Sequence, residues 1–294
     1  MRPKQGGGDE TLSAAKTSSE IATGPAHKLL IPDSDAVGDR PLVICFHGSG
    51  ESCSPSWDAL ARILTSEPHS LHVLLYERGP RNPKPPQATA DLREYLSREK
   101  LEGLYVLVAH SYGGSFARMF LEEDVRQVVG MVLVETGQES ALDDRIEKRQ
   151  YERRVMGMRP LSVVRGNSFL RMREQVRRTE GDTSPEGGRG VELRKMLEMW
   201  EAADEEMKKK QLDLVAENGV KRYVHIPDCG HHVVRDRPDV VAAEVAWVLE
   251  NLDKGGGDGN AKTHRREERG RKNSGGLRRV WREIVGRLLD NPKE

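Results

Sequence analysis

Residues 104–116 read LYVLVAHSYGGSF, and the fold is decided by how this run changes character in its middle. Up to Ala109 it is an apolar, β-branched stretch of strand length; after the glycines a helix-like stretch follows at once. The serine, Ser111, falls on the turn between them, with the small residues Ala109 and Gly113 two before and two after it. A strand-turn-helix elbow of this kind strains the backbone of its central residue, and bulk at those two flanking positions would collide. The hydroxyl of Ser111 then projects at the carboxyl end of a sheet, the end where ligands bind in open α/β folds.

Outward from this run the pattern repeats. Apolar runs of strand length occur at 42–46, 72–76, 128–134, 161–164 and 220–226, with an edge strand at 28–31. Most are separated by stretches with helical periodicity at 57–64, 90–98 and 115–122. A last helix at 239–252 starts after Pro238 and repeats Val241, Val245, Val248, Leu249 and Leu252 along one face. Alternation of buried strands with helices predicts a mostly parallel sheet with helices on both faces. Two charged, helix-prone stretches interrupt it, at 138–160 and 167–219, the second with a Gly/Ser/Pro break at 181–190. They read as insertions forming a helical cap over the sheet.

The chain is 294 residues long with 36% hydrophobic residues and 32% charged ones, which allows one large domain or two small ones. We assign one α/β domain to 26–254, with disordered termini. Residues 1–25 are Gly-, Ser- and Thr-rich, without an apolar core segment, and predict a leader that is no secretory signal. Residues 255–276 read as a flexible basic linker, and 277–290 as a short amphipathic helix with Trp281, Leu and Ile opposite arginines. From Gly255 onward 11 Lys and Arg stand against 6 Asp and Glu, within a chain whose 47 basic and 47 acidic side chains balance. Residues 145–178 carry a second local excess, 11 basic against 3 acidic, which suits a solvated helical face. No run of about 18 apolar residues is present to span a bilayer. The terminal helix suits docking on the body or weak contact with a membrane surface, and no nucleic-acid partner is expected. The three cysteines, Cys45, Cys53 and Cys229, lack metal-ligand spacing and read as free thiols of a reducing compartment, which places the protein in the cytoplasm.

A serine hydroxyl is a weak nucleophile without a base. The segment VKRYVHIPDCGHHVVRDR at 220–237 offers one: the strand runs out, Gly230 permits a sharp turn, and His231 follows on the loop. His232 is the adjacent alternative, while His225 lies within the strand and reads as structural. In VICFHGSGES at 43–52 a strand again ends in a turn, His47-Gly48-Ser49, at the same end of the sheet. The backbone N–H groups of Ser49 and Tyr112 are candidates for an oxyanion hole, where each donor contributes roughly 10²- to 10³-fold in rate. His47 reads as a structural residue of its turn, and Cys229 carries no catalytic role.

Together these residues resemble the α/β-hydrolase superfamily. The motifs are His47-Gly48-Ser49-Gly50, Tyr76-Glu77-Arg78-Gly79, Ala109-His110-Ser111-Tyr112-Gly113-Gly114 and Gly230-His231, and the resemblance covers about 42–252. It implies the α/β-hydrolase fold and a serine hydrolase with Ser111 as nucleophile, His231 as base and a carboxylate between them in chain order. By the same resemblance the proline-rich loop 80–86 lies near the rim of the site. Ala109 departs from the glycine that opens the family's G-x-S-x-G pattern. Most members carry the acid after the strand matching 161–164, but here that strand runs into Arg165-Gly166-Asn167-Ser168. Some branches, certain haloalkane dehalogenases among them, take it from the strand before, which here ends at Glu135. Glu135 is therefore the expected acid, with Glu139, Asp182 and Asp204 as alternatives. The expected activity is esterase-like acyl hydrolysis of a small-molecule substrate, with no metal or organic cofactor. An inactive ligand-binding protein on the same scaffold is the alternative.

Overall fold

Alternate residues of the central strands face opposite ways, and both sets are apolar, so each strand can be buried twice. The computed structural model describes residues 21–22, 27–32, 40–78, 83–137, 141–179 and 187–253. Most of the expected leader, the linker at 255–276 and the amphipathic helix at 277–290 lie outside them. Eight strands form one sheet: β1 (Ile21–Ala22), β2 (Lys28–Leu30), β3 (Leu42–Phe46), β4 (Val73–Tyr76), β5 (Tyr105–His110), β6 (Val128–Val134), β7 (Leu161–Arg165) and β8 (Lys221–His225). Their order across the sheet is β1-β2-β4-β3-β5-β6-β7-β8. From β3 to β8 the pairings are parallel, whereas β1 and β2 add antiparallel at one edge. β1 falls inside the stretch read as a leader; its pairing with β2 gives both segments backbone partners that the sequence pattern does not announce.

Eight α-helices and one 3₁₀ turn (Gln211–Leu214) complete the described chain: α1 (Asp58–Thr65), α2 (Pro85–Arg98), α3 (Gly113–Glu123), α4 (Asp144–Arg153), α5 (Leu170–Thr179), α6 (Gly187–Lys210), α7 (Val233–Asp236) and α8 (Pro238–Glu250). On one face of the sheet Leu42, Ile44, Phe46, Leu107 and Ala109 pack with α2 and α3. On the other Val43, Cys45, Val106 and Val108 pack with α1, α7 and α8. This period of two within each strand is what double burial requires. Helix α2 begins at Pro85, earlier than its apolar periodicity indicates, because the first helical positions leave their N–H unbonded and tolerate proline. The last two residues of the expected proline-rich loop, Pro85 and Pro86, are therefore helical. Helix α6 likewise begins at Gly187, inside the expected break.

Helices α5 and α6 pack on one another through a small core of their own, in which Phe169, Val176 and Leu197 are buried beside Met172, Leu193 and Trp200. The functional consequence of the topology lies elsewhere. The chain passes from β3 outward to β4, then crosses back to β5 on the other side of β3. A crevice opens beyond the carboxyl ends of strands where the order reverses, which is where β3 ends at Phe46 and β5 at His110. Among the described residues no helix is long and apolar enough to cross a membrane.

Candidate active site

The elbow after β5 is built as its sequence demands. Ser111 has a φ of 51°, a left-handed conformation that side-chain-bearing residues rarely adopt. It is held there by its own N–H donating to the Val134 carbonyl at 3.0 Å and its carbonyl accepting from Gly114 N–H at 3.0 Å. Gly113 cannot be larger, because a Cβ there would stand 2.2 Å from the Phe46 carbonyl oxygen. The absent methyl lets α3 start directly against the end of β3.

Two further residues, far away in sequence, arrive at this elbow. His231 places Nε2 3.0 Å from Ser111 Oγ and Nδ1 3.0 Å from Glu135 Oε2. An ionised carboxylate can only accept, so Nδ1–H donates to Glu135 and Nε2 is left to accept the Ser111 hydroxyl proton. The imidazole is 37% exposed and the carboxylate fully buried, so the ring can be approached from solvent while its support cannot. Glu135 itself has a φ of 52°, and its N–H donates to the Val164 carbonyl at 2.8 Å.

The carboxylate is thoroughly satisfied. Oε1 accepts from Gly166 N–H at 2.7 Å and Oε2 from the Ser168 hydroxyl at 2.7 Å, while Lys208 Nζ lies 3.3 Å from Oε1. Burial alone would raise this carboxyl, but the Lys208 ammonium and the hydrogen bonds from His231 and Ser168 hold it well below the usual carboxylate range. For His231, burial pushes the imidazole below its ordinary 6.5, and the hydrogen bond to Glu135 pulls upward without reversing this. At neutral pH the pair is a carboxylate beside a neutral imidazole, the form a general base requires.

The turn after β3 faces the same crevice. Gly48 lies against the elbow, with the position of a Cβ there 3.5 Å from Ser111 Cβ. Buried Arg78 donates to the carbonyls of His47 at 2.6 Å and Gly48 at 2.7 Å. In a trans peptide C=O and N–H point oppositely, so this bond turns the Ser49 N–H away from Arg78. Among the described residues neither the Ser49 nor the Tyr112 N–H makes a backbone hydrogen bond, and Tyr112 caps the N-terminus of α3, where free N–H groups gather. His47 is buried in its turn, and burial followed by the Arg78 charge pushes its imidazole down to about 4.

The sequence reading missed a second carboxylate–imidazole group beside the first. Glu51 lies 3.6 Å from His110 Nδ1 and 3.1 Å from His232 Nδ1. On its far side His110 Nε2–H donates to the backbone carbonyl of His231 at 2.8 Å. The neighbouring His110 and His232 rings hold the Glu51 carboxyl well below the usual range against the effect of burial. The group braces the β3 turn, the elbow and the His231 loop against one another, and its signal in the sequence was His110, already inside the elbow motif. Ser168 and Lys208 were missed as well. Asp204 pairs with Arg165 at 2.7 Å and with Lys208, away from His231. Glu139 and Asp182 lie outside the described residues. His225 sits in β8, as its strand pattern indicated. Cys45, Cys53 and Cys229 are free and buried.

A model of the Alpha/beta hydrolase family matches residues 43–244. The curated protein "Probable transporter efuK" of Hormonema carpetanum is 22% identical over 282 residues, an alignment covering 72% of this chain and 40% of that protein. The chain thus spans well under half the length of that relative. Solved structures similar to it include Est1E of Butyrivibrio proteoclasticus, with 12% identity, a TM-score of 0.47 and coverage of 78% of this chain and 93% of that one. A thermophilic esterase of Thermogutta terrifontis shows 16% identity and a TM-score of 0.41, with coverage of 80% and 97% respectively.

Proposed function

This chain belongs to the alpha/beta hydrolase family, and from that premise we propose that it is a serine hydrolase that cleaves a small acyl substrate by way of an acyl-enzyme. His231 Nε2 takes the Ser111 proton as Oγ attacks the carbonyl carbon. The carbonyl π electrons move onto oxygen, and the oxyanion is met by the N–H groups of Ser49 and Tyr112. Collapse of the tetrahedral species breaks the bond to the alcohol, thiol or amine, which leaves with the proton held by His231. Water then attacks the acyl-serine, with His231 again as base, and releases the carboxylic acid and free Ser111. Glu135 holds the imidazole in the required tautomer and supports its transient positive charge, without taking the proton itself.

The observation that carries this reading is the pair of 3.0 Å spacings on the two sides of one imidazole, to a strained serine and to a buried carboxylate. A folding constraint alone does not need a serine at positive φ aimed at a partly exposed histidine. The test is hydrolysis of p-nitrophenyl esters of graded acyl length. Ser111→Ala is expected to lower kcat/KM by on the order of 10⁴-fold or more on whichever ester is cleaved best. Hydrolysis by Ser111→Ala at the native rate would refute the assignment. Since a base must be unprotonated to act, kcat/KM is expected to fall on acidification with a midpoint below 6.5, the direction in which burial moves His231. A midpoint well above that value would contradict the geometry.

A further inference from the structure

Glu135 is the meeting point of the end of β6, the turn after β7 and helix α6. The helix contributes Lys208, whose side chain is 2% exposed with Nζ 3.3 Å from Glu135 Oε1. The same ammonium pairs with Asp204, one turn earlier on α6, and the other Asp204 oxygen accepts from Arg165 Nε at 2.7 Å. Buried charges of alternating sign thus run from His231 into the helical pair: Glu135, Lys208, Asp204, Arg165. A lysine is buried this deeply only where its charge is matched. Four residues of one charge chain, drawn from two strand ends and an inserted helix, are more than the fold alone needs at the back of a histidine.

Resting on the serine-hydrolase reading, we propose that Lys208 is a positioning residue for the Glu135–His231 pair, fixing the carboxylate through Oε1 and reducing the negative charge that His231 meets. The orientation follows from the division of labour on the carboxylate. Gly166 N–H and Lys208 occupy Oε1, while Ser168 and His231 occupy Oε2, so the carboxylate cannot rotate without breaking contacts on both oxygens. The electrostatics follow from the order of charges. An imidazolium at His231 is attracted by Glu135 and repelled by the cation directly behind it. Lys208 therefore keeps the base unprotonated in mildly acidic conditions, and Asp204 tempers Lys208 in turn. The other groups facing His231 are Ser111 of the elbow, His110 from β5, Ser168 after β7 and its neighbour His232, with Glu51 beyond the two histidines; Arg165, Glu205 and His225 stand behind Asp204.

The experiment is a histidine Cε1–H NMR titration of the full chain, with the His231 resonance assigned by its loss in His231→Gln. Lys208→Met is expected to raise the His231 midpoint by about one pH unit, the size of a unit charge removed at short range in a protein interior. Lys208→Arg should leave it near the native value. Asp204→Asn, which strips Lys208 of its counter-charge, should lower it. Unchanged midpoints in both Lys208→Met and Asp204→Asn would overturn the proposal. Should Lys208→Met fail to fold by circular dichroism, Asp204→Asn decides alone: a lower midpoint supports the proposal and an unchanged one overturns it. Reaction of Ser111 with a fluorophosphonate, run on the same samples, tests the hydrolase reading separately. Midpoints that move in a protein whose serine does not react would remove that reading and keep the coupling of Lys208 to His231.

Discussion

Both oxygens of the buried Glu135 carboxylate are bonded, and this is why a small change there should be felt out of proportion to its size. Glu135→Gln keeps the shape but can present an N–H to His231 Nδ1, which favours the wrong tautomer. In the proposed mechanism it should lower kcat by on the order of 10³- to 10⁴-fold with KM little changed. Steady-state kinetics check this, and a loss below tenfold would place the acid elsewhere. Single residues were unevenly legible in the sequence. Ser111 and His231 announce themselves: the first sits on the turn directly after an apolar strand with Gly113 two residues on, the second follows Gly230 on a loop beyond another strand. Glu135 came from the resemblance, because a carboxylate closing an apolar strand is by itself only a solvated end. Ser168 and Lys208 left no trace: a hydroxyl and an ammonium that meet Glu135 from 33 and 73 positions further on follow no local pattern. The turn Arg165-Gly166-Asn167-Ser168, which looked empty for want of an acid, instead supplies two donors to the Glu135 carboxylate at the end of the neighbouring strand.

At the scale of elements, the approach of α3 to the end of β3 matters most, and it depends on one missing methyl. A Cβ at position 113 would lie 2.2 Å from one backbone carbonyl oxygen and 2.8 Å from the next, those of Phe46 and His47. Neither is the tip of a flexible side chain, so elbow or turn must move. Gly113→Ala is therefore expected to destabilise the fold by about 1–3 kcal/mol, the range of overpacking, and to cost activity as well because Ser111 and Ser49 ride on the two displaced segments. Urea unfolding checks the first effect; a midpoint within error of the native one would contradict it. The parallel strands were legible to within a residue or two; in β3 to β7 double burial leaves continuous apolar runs, whereas β8, KRYVH, is only half-buried. Helix starts were not, as α2 and α6 show: proline and glycine read as loop signals, yet helix beginnings accept proline, and a helix of 24 residues can carry glycines in its first turn.

The whole molecule responds to acid through several buried histidines and carboxylates at once. His47 is held down to about 4, against an ordinary 6.5. Between those values the unfolded chain binds a proton that the folded one refuses, so stability falls as pH drops through that window. Glu51 and Glu135 are held below their ordinary 4.5; their contribution is complete above that value and is lost as pH falls further. The melting temperature should therefore decline from about pH 6.5 downward and more steeply below about 4.5, with His47→Asn flattening the upper part of the decline. Thermal melts across this range would count against the account if Tm stayed level down to pH 4.5. Whether the strained serine is made nucleophilic by a histidine brought from 120 positions away is decided by mass spectrometry after exposure of the folded chain to a fluorophosphonate. One adduct is expected, mapped to Ser111, absent in Ser111→Ala and formed at least about a hundredfold more slowly in His231→Gln. A folded protein that stays unlabelled, or one labelled at Ser111 just as fast without the imidazole, would contradict this expectation.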